Sequence, residues 1–416
     1  MEQYNEIFRR SKDASRLLAV TDENSRNTVL LKLADMIEAS ADIILPANAA
    51  DLARMDKDNP LYDRLLLTPE RLASIASDMR HVAGLECPVG EVMEQRTLSN
   101  GIELRRVRCP FGVLGVIYEA RPNVTFDVFA LAFKTGNACV LKGGHDADSS
   151  NRAAIALIRS ALESCGMPVD SAILLPSDHE ATAAMLAAEG YIDVCIPRGG
   201  RRLIDFVRHN AKIPVIETGA GVVNTYFHSK GNLEMGRGIV TNGKTRRVSV
   251  CNALDTLLID SARLADLPAL VSELAAKKVI LHADQRALAF LRGHYPDELL
   301  ADATTDDWDR EWMSLQMGVC TVDGLEQAIA HINTHGSGHS EAIITDDPSA
   351  ADEFQARIDA SCVYVNLPTS FTDGAQFGLG AEIGISTQKL GPRGPMGLRE
   401  ITTYRWLLNG HGQLRP

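Results

Sequence analysis

The chain has 416 residues, and its 42 Lys and Arg against 54 Asp and Glu give a formal net charge of −12 at pH 7. This balance argues against general binding to nucleic acids or anionic membranes, because both attract cationic surfaces. Hydrophobic residues make up 45% of the chain and charged residues 23%, which excludes general disorder and, at this length, predicts two or three folded domains.

The N-terminal segment begins Met-Glu-Gln-Tyr-Asn-Glu and lacks the apolar stretch of a secretory signal. No apolar run approaches the ~20 residues that would span a bilayer. The eight cysteines lie singly, with no Cys-x-x-Cys pair, which argues against a disulfide framework or a zinc ribbon. We therefore expect a cytoplasmic protein with reduced thiols and no membrane association.

The first part of the chain combines helical and strand-like patterns. Residues 2–85 show apolar positions at helical spacing, and Asn100-Gly101 predicts a hairpin within residues 96–108. Strands are then predicted at residues 113–118, 138–141, 172–175, 194–196 and 214–216. Helices are predicted between them at residues 124–134, 150–164, 179–188 and 201–210.

A second alternating series follows. Its predicted strands are residues 256–259, 279–281, 317–322, 342–345 and 362–365. Its predicted helices are residues 262–276, 284–292, 323–333 and 348–358. Strands that alternate with helices form parallel sheets covered on both faces, so we predict an α/β protein with two doubly wound lobes.

Cys251 is a candidate nucleophile. Three cations, Lys244, Arg246 and Arg247, precede it within seven residues, and nearby positive charge favours the reactive thiolate. A single cysteine beside a strand is more often an inert core residue, so the residues alone leave both interpretations open.

Basic residues are concentrated in residues 198–212 and 237–247 and would attract small anions. Gly199 and Gly200 connect a strand to a helix that begins with arginines, which suits a pyrophosphate, although a plain turn is the alternative. Lys142 lies at the end of another predicted strand. Residues 143–145 contain no carboxylate, a group that would repel a 2′-phosphate bound there.

Other motifs are weaker. Gly219-Ala-Gly221 lacks the third glycine of a dinucleotide fingerprint. His331, His335 and His339 recur every four residues, but glycines interrupt that helix and no carboxylate lies in register, so we predict no metal site. Glu217 at a strand end is either a general base or a solvated carboxylate.

Longer motifs resemble the aldehyde dehydrogenase superfamily and, within it, the family of glutamate-5-semialdehyde dehydrogenases. They are Tyr118-Glu-Ala-Arg-Pro-Asn-Val-Thr, Lys134-Thr-Gly-Asn-Ala-Cys-Val-Leu-Lys-Gly-Gly, Ser249-Val-Cys-Asn-Ala and Phe371-Thr-Asp-Gly-Ala-Gln-Phe-Gly-Leu-Gly-Ala-Glu-Ile-Gly. The resemblance extends over nearly the whole chain and implies the superfamily's fold, a Rossmann-like cofactor domain and a catalytic domain with a small β oligomerisation arm. It also implies that Cys251 is the nucleophile.

The resemblance implies roles for further residues. Asn123 would form the oxyanion hole, Glu217 occupies the general-base position, and Glu311 resembles the carboxylate that contacts the nicotinamide ribose. The other implied residues are Lys142, Gly143, Gly144, Arg198, Gly199 and Gly200 for NADP(H), and Arg121, Arg247 and His339 for the substrate. Near the substrate end the pattern differs, because Ser370 stands where many members have arginine.

The resemblance further implies domain limits and an activity. Residues 1–95 and 109–230 would bind NADP, residues 231–385 would carry the nucleophile, and residues 96–108 and 386–416 would form the oligomerisation arm and tail. The implied reaction is NADPH-dependent reduction of L-glutamate 5-phosphate to the 5-semialdehyde through a thioester, the second step of proline biosynthesis. A homo-oligomer and an association with glutamate 5-kinase are expected. The alternatives are a hydrolytic or CoA-acylating aldehyde dehydrogenase and, further away, a non-catalytic scaffold.

Overall fold

The structure is a computed structural model that describes residues 2–57, 59 and 62–415. The helices are α1 (Glu2–Leu18), α2 (Glu23–Ala39), α3 (Ala41–Leu52), α4 (Tyr62–Leu65), α5 (Pro69–Gly84), α6 (Asn123–Lys134), α7 (Asp148–Ser164), α8 (His179–Leu186), α9 (Arg201–Asn210), α10 (Leu233–Thr245), α11 (Leu267–Leu270), α12 (Ser272–Ala276), α13 (Gln285–Leu291), α14 (Leu325–His335) and α15 (Pro348–Arg357). The strands are β1 (Val92–Thr97), β2 (Glu103–Pro110), β3 (Val113–Tyr118), β4 (Ala138–Gly143), β5 (Ala172–Leu174), β6 (Val194–Arg198), β7 (Asn224–Phe227), β8 (Thr256–Asp260), β9 (Ile280–Ala283), β10 (Leu300–Asp302), β11 (Gln316–Val322), β12 (Ser340–Ile344), β13 (Cys362–Val365), β14 (Ile385–Ser386), β15 (Gly394–Pro395) and β16 (Thr402–Asn409).

The chain forms two compact units. The first comprises the described residues up to Thr218, residues 378–384 and those from Met396 onwards; the second comprises Gly219–Phe377 and Ile385–Pro395. The division therefore precedes the one expected after residue 230. The reason is β7, which pairs with β8 and β12 and so joins the second unit's sheet.

The first unit contains a parallel sheet of order β5-β4-β3-β6. Every residue of β3 and β4 is buried, as expected for central parallel strands with both faces covered. Helices α1 and α6 pack against β4, and α7 packs against β5. The core is continuous from these strands into α2 and α5 of the N-terminal helical segment.

The predicted hairpin is confirmed and forms part of a separate antiparallel sheet of order β1-β2-β16 in the first unit. Gly101 has φ +83°, the left-handed conformation that the Asn-Gly turn requires. The N–H of Leu98 donates to the Ile102 carbonyl over 2.8 Å, which closes the turn. Strand β16 carries exposed large side chains at Tyr404, Trp406 and Leu408.

The second unit contains a parallel sheet of order β10-β9-β11-β8-β7-β12-β13. Successive side chains enter opposite layers: Tyr226 packs with α14 and α15, whereas Phe227 packs with α10 and α13. The predicted α/β fold with two doubly wound lobes is confirmed.

Two predicted elements differ in detail. The single helix expected over residues 262–276 is a 3-10 segment followed by α11 and α12, and Pro268 lies in the first turn of α11, where a missing N–H costs nothing. The strand expected at residues 214–216 is reduced to one bridge between Val215 and Cys195.

Within the described residues, no helix combines the length and apolar character needed to cross a bilayer.

Candidate active site

Cys251 lies in the second unit, on the turn between α10 and β8, and its side chain is half-buried. The N–H of Ala253 donates to the Val250 carbonyl over 3.2 Å, which fixes this turn. Gly221 approaches the Cys251 backbone so closely that an added Cβ would lie 1.7 Å from the Cys251 carbonyl oxygen. Only glycine permits this approach.

Glu311 reaches the same glycine. The Gly221 N–H donates to Glu311 Oε1 over 3.2 Å, so one residue contacts both the backbone of Cys251 and the carboxylate of Glu311. The structure therefore brings together two residues that are far apart in sequence and that the resemblance assigns to one site.

Asn252, the neighbour of Cys251, fixes the turn to a distant loop. Its Nδ2 donates to the carbonyls of Ser370 and Thr372 over 3.3 and 2.9 Å, and its own carbonyl accepts from Thr369 Oγ1 over 2.9 Å. Ser370 in turn donates to Asn242 Oδ1 over 2.9 Å. Sequence reasoning did not single out Asn252 in this role, because only tertiary structure shows its partners.

A buried carboxylate and a buried ammonium lie at the two ends of the Cys251 loop. Asp255 is 2% exposed and Lys244 is fully buried. Burial raises the pKa of Asp255, an effect that the charge of Lys244 opposes. Burial likewise lowers the pKa of Lys244, and Asp255 opposes that shift. Each charge therefore makes the other less costly to bury.

The candidate cofactor residues lie in the first unit, at the carboxyl edge of its parallel sheet. Tyr118 at the end of β3 pairs with Gly143 on one side and Arg198 on the other. Strand order moves from β3 through β4 to β5 and then reverses to β6, so these residues flank the topological switch point, where nucleotides bind in open α/β sheets.

The positions of Gly143 and Gly199 at this edge require glycine for different physical reasons. A Cβ at Gly143 would lie 2.2 Å from Asn151 Nδ2, so packing against α7 explains this residue. A Cβ at Gly199 would lie 2.7 Å from the Glu119 carboxyl carbon, and the Gly200 N–H donates to Glu119 Oε2 over 2.9 Å. A carboxylate oxygen already accepts at the start of α9, which shows that this N–H suits an anion.

Lys142 lies at the same edge, and its Nζ donates to the Ser177 carbonyl over 3.2 Å. Burial lowers the pKa of Lys142, while the charge of Asp178 opposes the shift. The residues present thus fit an anionic dinucleotide: a lysine, an arginine and the backbone N–H of Gly200 lie at the carboxyl edge of the sheet.

Asn123 is the first residue of α6 in the first unit. Its Nδ2 donates to Asp127 Oδ2 over 2.8 Å, which orients the amide and leaves its second N–H for another acceptor. Burial raises the pKa of Asp127 to about 6.

The remaining candidates lie in varied surroundings. Glu217 is half-buried, and its Oε2 lies 3.7 Å from Nη1 of Arg208. Arg121 and Arg247 are exposed. His339 is fully buried, with Nδ1 2.8 Å from Ser340 Oγ. The direct substrate contact expected for His339 is therefore not supported, because its ring has no accessible surface. In the parts of the chain that the structure describes, no group of three His, Cys, Asp or Glu is placed to hold a metal ion.

Comparisons with known sequences and structures give relatives that agree with one another. A model of the aldehyde dehydrogenase family matches residues 317–405. The chain is 55% identical to a γ-glutamyl phosphate reductase of Pelodictyon phaeoclathratiforme, over 97% of both chains. It is 52% identical to that of Phocaeicola vulgatus over the full length of both. A crystal structure of the γ-glutamyl phosphate reductase of Thermotoga maritima, 36% identical, superposes with a TM-score of 0.95 over 99% of this chain and all of the other. The chain belongs to the γ-glutamyl phosphate reductase family of the aldehyde dehydrogenase superfamily.

Proposed function

We propose that the protein reduces L-glutamate 5-phosphate to L-glutamate 5-semialdehyde with NADPH, releasing phosphate, in proline biosynthesis. The observation that carries the proposal is the identity of 52–55%, over 97% or more of the chain, to γ-glutamyl phosphate reductases. The activity for which these full-length relatives are named uses the same substrate.

In the first step one bond forms and one bond breaks. The Cys251 thiolate attacks the γ-acyl phosphate carbon, and the carbon–oxygen bond to phosphate breaks, which gives a γ-glutamyl thioester and inorganic phosphate. Phosphate is a good leaving group, so little acid catalysis is needed. In the reverse direction, phosphate replaces the water of a hydrolytic enzyme, so Glu217 should contribute little.

Asn123 and the backbone N–H of Cys251 are the proposed oxyanion donors. The hydrogen bond from Asn123 to Asp127 supports this role, because it fixes the amide without using its second N–H. A donor of this kind contributes about 2.7–4 kcal/mol to the barrier in comparable sites.

The family implies a nicotinamide cofactor, and we propose NADP(H). Lys142, Gly144, Arg198 and Gly200 would hold its phosphates and ribose at the carboxyl edge of the first unit's sheet, and Glu311 would contact the nicotinamide ribose. The bound cofactor would supply the hydride that reduces the thioester. The absence of a carboxylate at residues 143–145 supports NADP over NAD, because a carboxylate there would repel the 2′-phosphate.

We propose that exposed arginines attract the anionic substrate. Arg121 and Arg247 are both exposed, and local positive charge concentrates phosphorylated substrates on an otherwise acidic protein.

We also propose a cytoplasmic homo-oligomer formed through the β1-β2-β16 sheet, whose β16 exposes Tyr404 and Trp406, and an association with glutamate 5-kinase. Light scattering on the purified protein would measure the oligomer.

The test is NADP⁺ reduction with the semialdehyde under three conditions: with phosphate, with CoA, and with neither. The proposal predicts turnover that depends on phosphate and is abolished in Cys251→Ala, whose fold is checked by circular dichroism. Turnover with CoA, or equal turnover in water, would identify one of the alternative aldehyde dehydrogenases. Full activity of Cys251→Ala would contradict the thioester.

A further inference from the structure

Asp255, the residue before β8, binds segments that are distant in sequence. Its Oδ1 accepts from the Trp312 N–H over 2.9 Å, and its Oδ2 accepts from the Val223 N–H over 3.2 Å. Its backbone N–H donates to the Val223 carbonyl over 2.9 Å, and its carbonyl accepts from the Gly318 N–H over 2.8 Å. The residue is 2% exposed, so water does not replace these partners.

Lys244 closes the other end of the same loop. Its Nζ donates to the Leu254 carbonyl over 3.0 Å, and the Leu254 N–H donates to the Gly243 carbonyl over 3.0 Å. The loop that carries Cys251 is thus joined at its base. The Lys244 ammonium is fully buried, and its positive charge favours the charged form of the buried Asp255 carboxylate.

Both segments that Asp255 holds reach the candidate site one or two residues earlier in the chain. Val223 follows Gly221, which contacts the Cys251 carbonyl, and Trp312 follows Glu311, which accepts from the Gly221 N–H. A shift of either segment would therefore move the nucleophile and Glu311 relative to each other.

We propose that Asp255 is a positioning residue, which holds the Cys251 loop, the Gly221–Val223 segment and the Glu311–Trp312 segment in one arrangement with Lys244 as its counter-charge. A carboxylate is needed because it accepts two backbone N–H groups at once. An asparagine has the same shape, but its Nδ2 is a donor, so one of the two N–H groups would lose its acceptor. Lys244 would also remain as an uncompensated buried charge.

The test compares Asp255→Asn with Asp260→Asn. Asp260 lies at the opposite end of β8, is 5% exposed, and also accepts two hydrogen bonds, from Tyr226 Oη and the Ala262 N–H over 2.9 and 3.0 Å. It is therefore a matched control for the loss of a buried carboxylate. Three quantities are measured: the melting temperature, the rate of Cys251 alkylation by iodoacetamide without ligands, and kcat and KM for phosphate-dependent NADP⁺ reduction.

We expect Asp255→Asn to lower kcat by at least about tenfold, since displacing reacting groups by ~1 Å costs up to ~100-fold. Its alkylation rate should change by about threefold or more as the thiol's surroundings shift. Asp260→Asn should lose melting temperature but keep both rates within about twofold, because it leaves the Cys251 loop intact.

The double variant Lys244→Met, Asp255→Asn separates positioning from stability. Removing the ammonium eliminates the uncompensated charge, so the melting temperature should recover relative to Asp255→Asn while kcat stays low. Recovery of kcat together with the melting temperature, or a kcat of Asp255→Asn within twofold of the wild type, would overturn the proposal. The kcat measurement rests on the proposed function. If the wild type shows no phosphate-dependent activity, that function fails, and the alkylation rates of the variants still decide the role of Asp255.

Discussion

Gly221→Ala is the substitution whose effect the structure defines most sharply. The new Cβ would lie 1.7 Å from the Cys251 carbonyl oxygen, whereas real Cβ contacts essentially never fall below 3.0 Å. The two backbones must therefore separate by about 1 Å or more, and a misplacement of this size costs up to ~100-fold in rate. We expect kcat of phosphate-dependent NADP⁺ reduction to fall about 100-fold.

The matched control is Gly238→Ala in α10 of the same unit. Gly238 has no atom within 4 Å of an added Cβ. An alanine in this helix should therefore raise stability by up to about 1 kcal/mol without affecting turnover. Circular dichroism and melting temperature show whether Gly221→Ala is folded. A folded Gly221→Ala enzyme with kcat within about threefold of the wild type would refute the close-contact argument.

Three further predictions concern other side chains. Glu217→Gln should keep at least about a tenth of the wild-type rate, because no water is activated; a loss of ~100-fold or more would show that a general base is needed. Asp127 has its pKa raised to about 6, so its folded form binds protons more tightly than the unfolded form, and stability falls as pH rises from ~4 to ~6. Asp127→Asn, whose Oδ1 still accepts from Asn123, should lose that pH dependence in thermal melts, and an unchanged profile would contradict it. Lys134 is fully buried and donates to Glu23, Asn27 and the Ala83 carbonyl over 2.6, 2.8 and 2.9 Å. Lys134→Met should lower the free energy of unfolding by about 1–3 kcal/mol in urea titrations, because the Ala83 carbonyl and Asn27 lose their donor while Glu23 remains partly exposed to solvent. A change below ~0.5 kcal/mol would show that these contacts contribute little.

Secondary structure was predictable where apolar patterns were long. The strand at residues 113–118 and the helix that begins at Arg201 were found with their limits almost unchanged. Strand β7 was missed because it begins with Asn224 and Thr225, polar residues that the fold nevertheless buries. Such burial depends on tertiary pairing and leaves no periodic signal in a short segment.

The sequence points to Cys251 as a candidate nucleophile, but it does not point to the residues that hold its turn. Cys251 followed from adjacent cations and from long family motifs. Gly221 belongs to a motif that resembles an incomplete dinucleotide fingerprint, and the structure shows that this glycine permits a close backbone contact instead. Asp255 gave no sequence signal, because its partners at Val223 and Trp312 are far apart along the chain. His339 is fully buried, a surrounding that its place in the sequence did not indicate.

The most direct test of the central claim is the time course of NADPH formation after mixing enzyme, semialdehyde and NADP⁺. A thioester at Cys251 that only phosphate releases predicts a single turnover per subunit without phosphate and continuous turnover once phosphate is added. Cys251→Ala should show neither phase. Continuous turnover without phosphate, or a burst that persists in Cys251→Ala, would contradict the proposed mechanism.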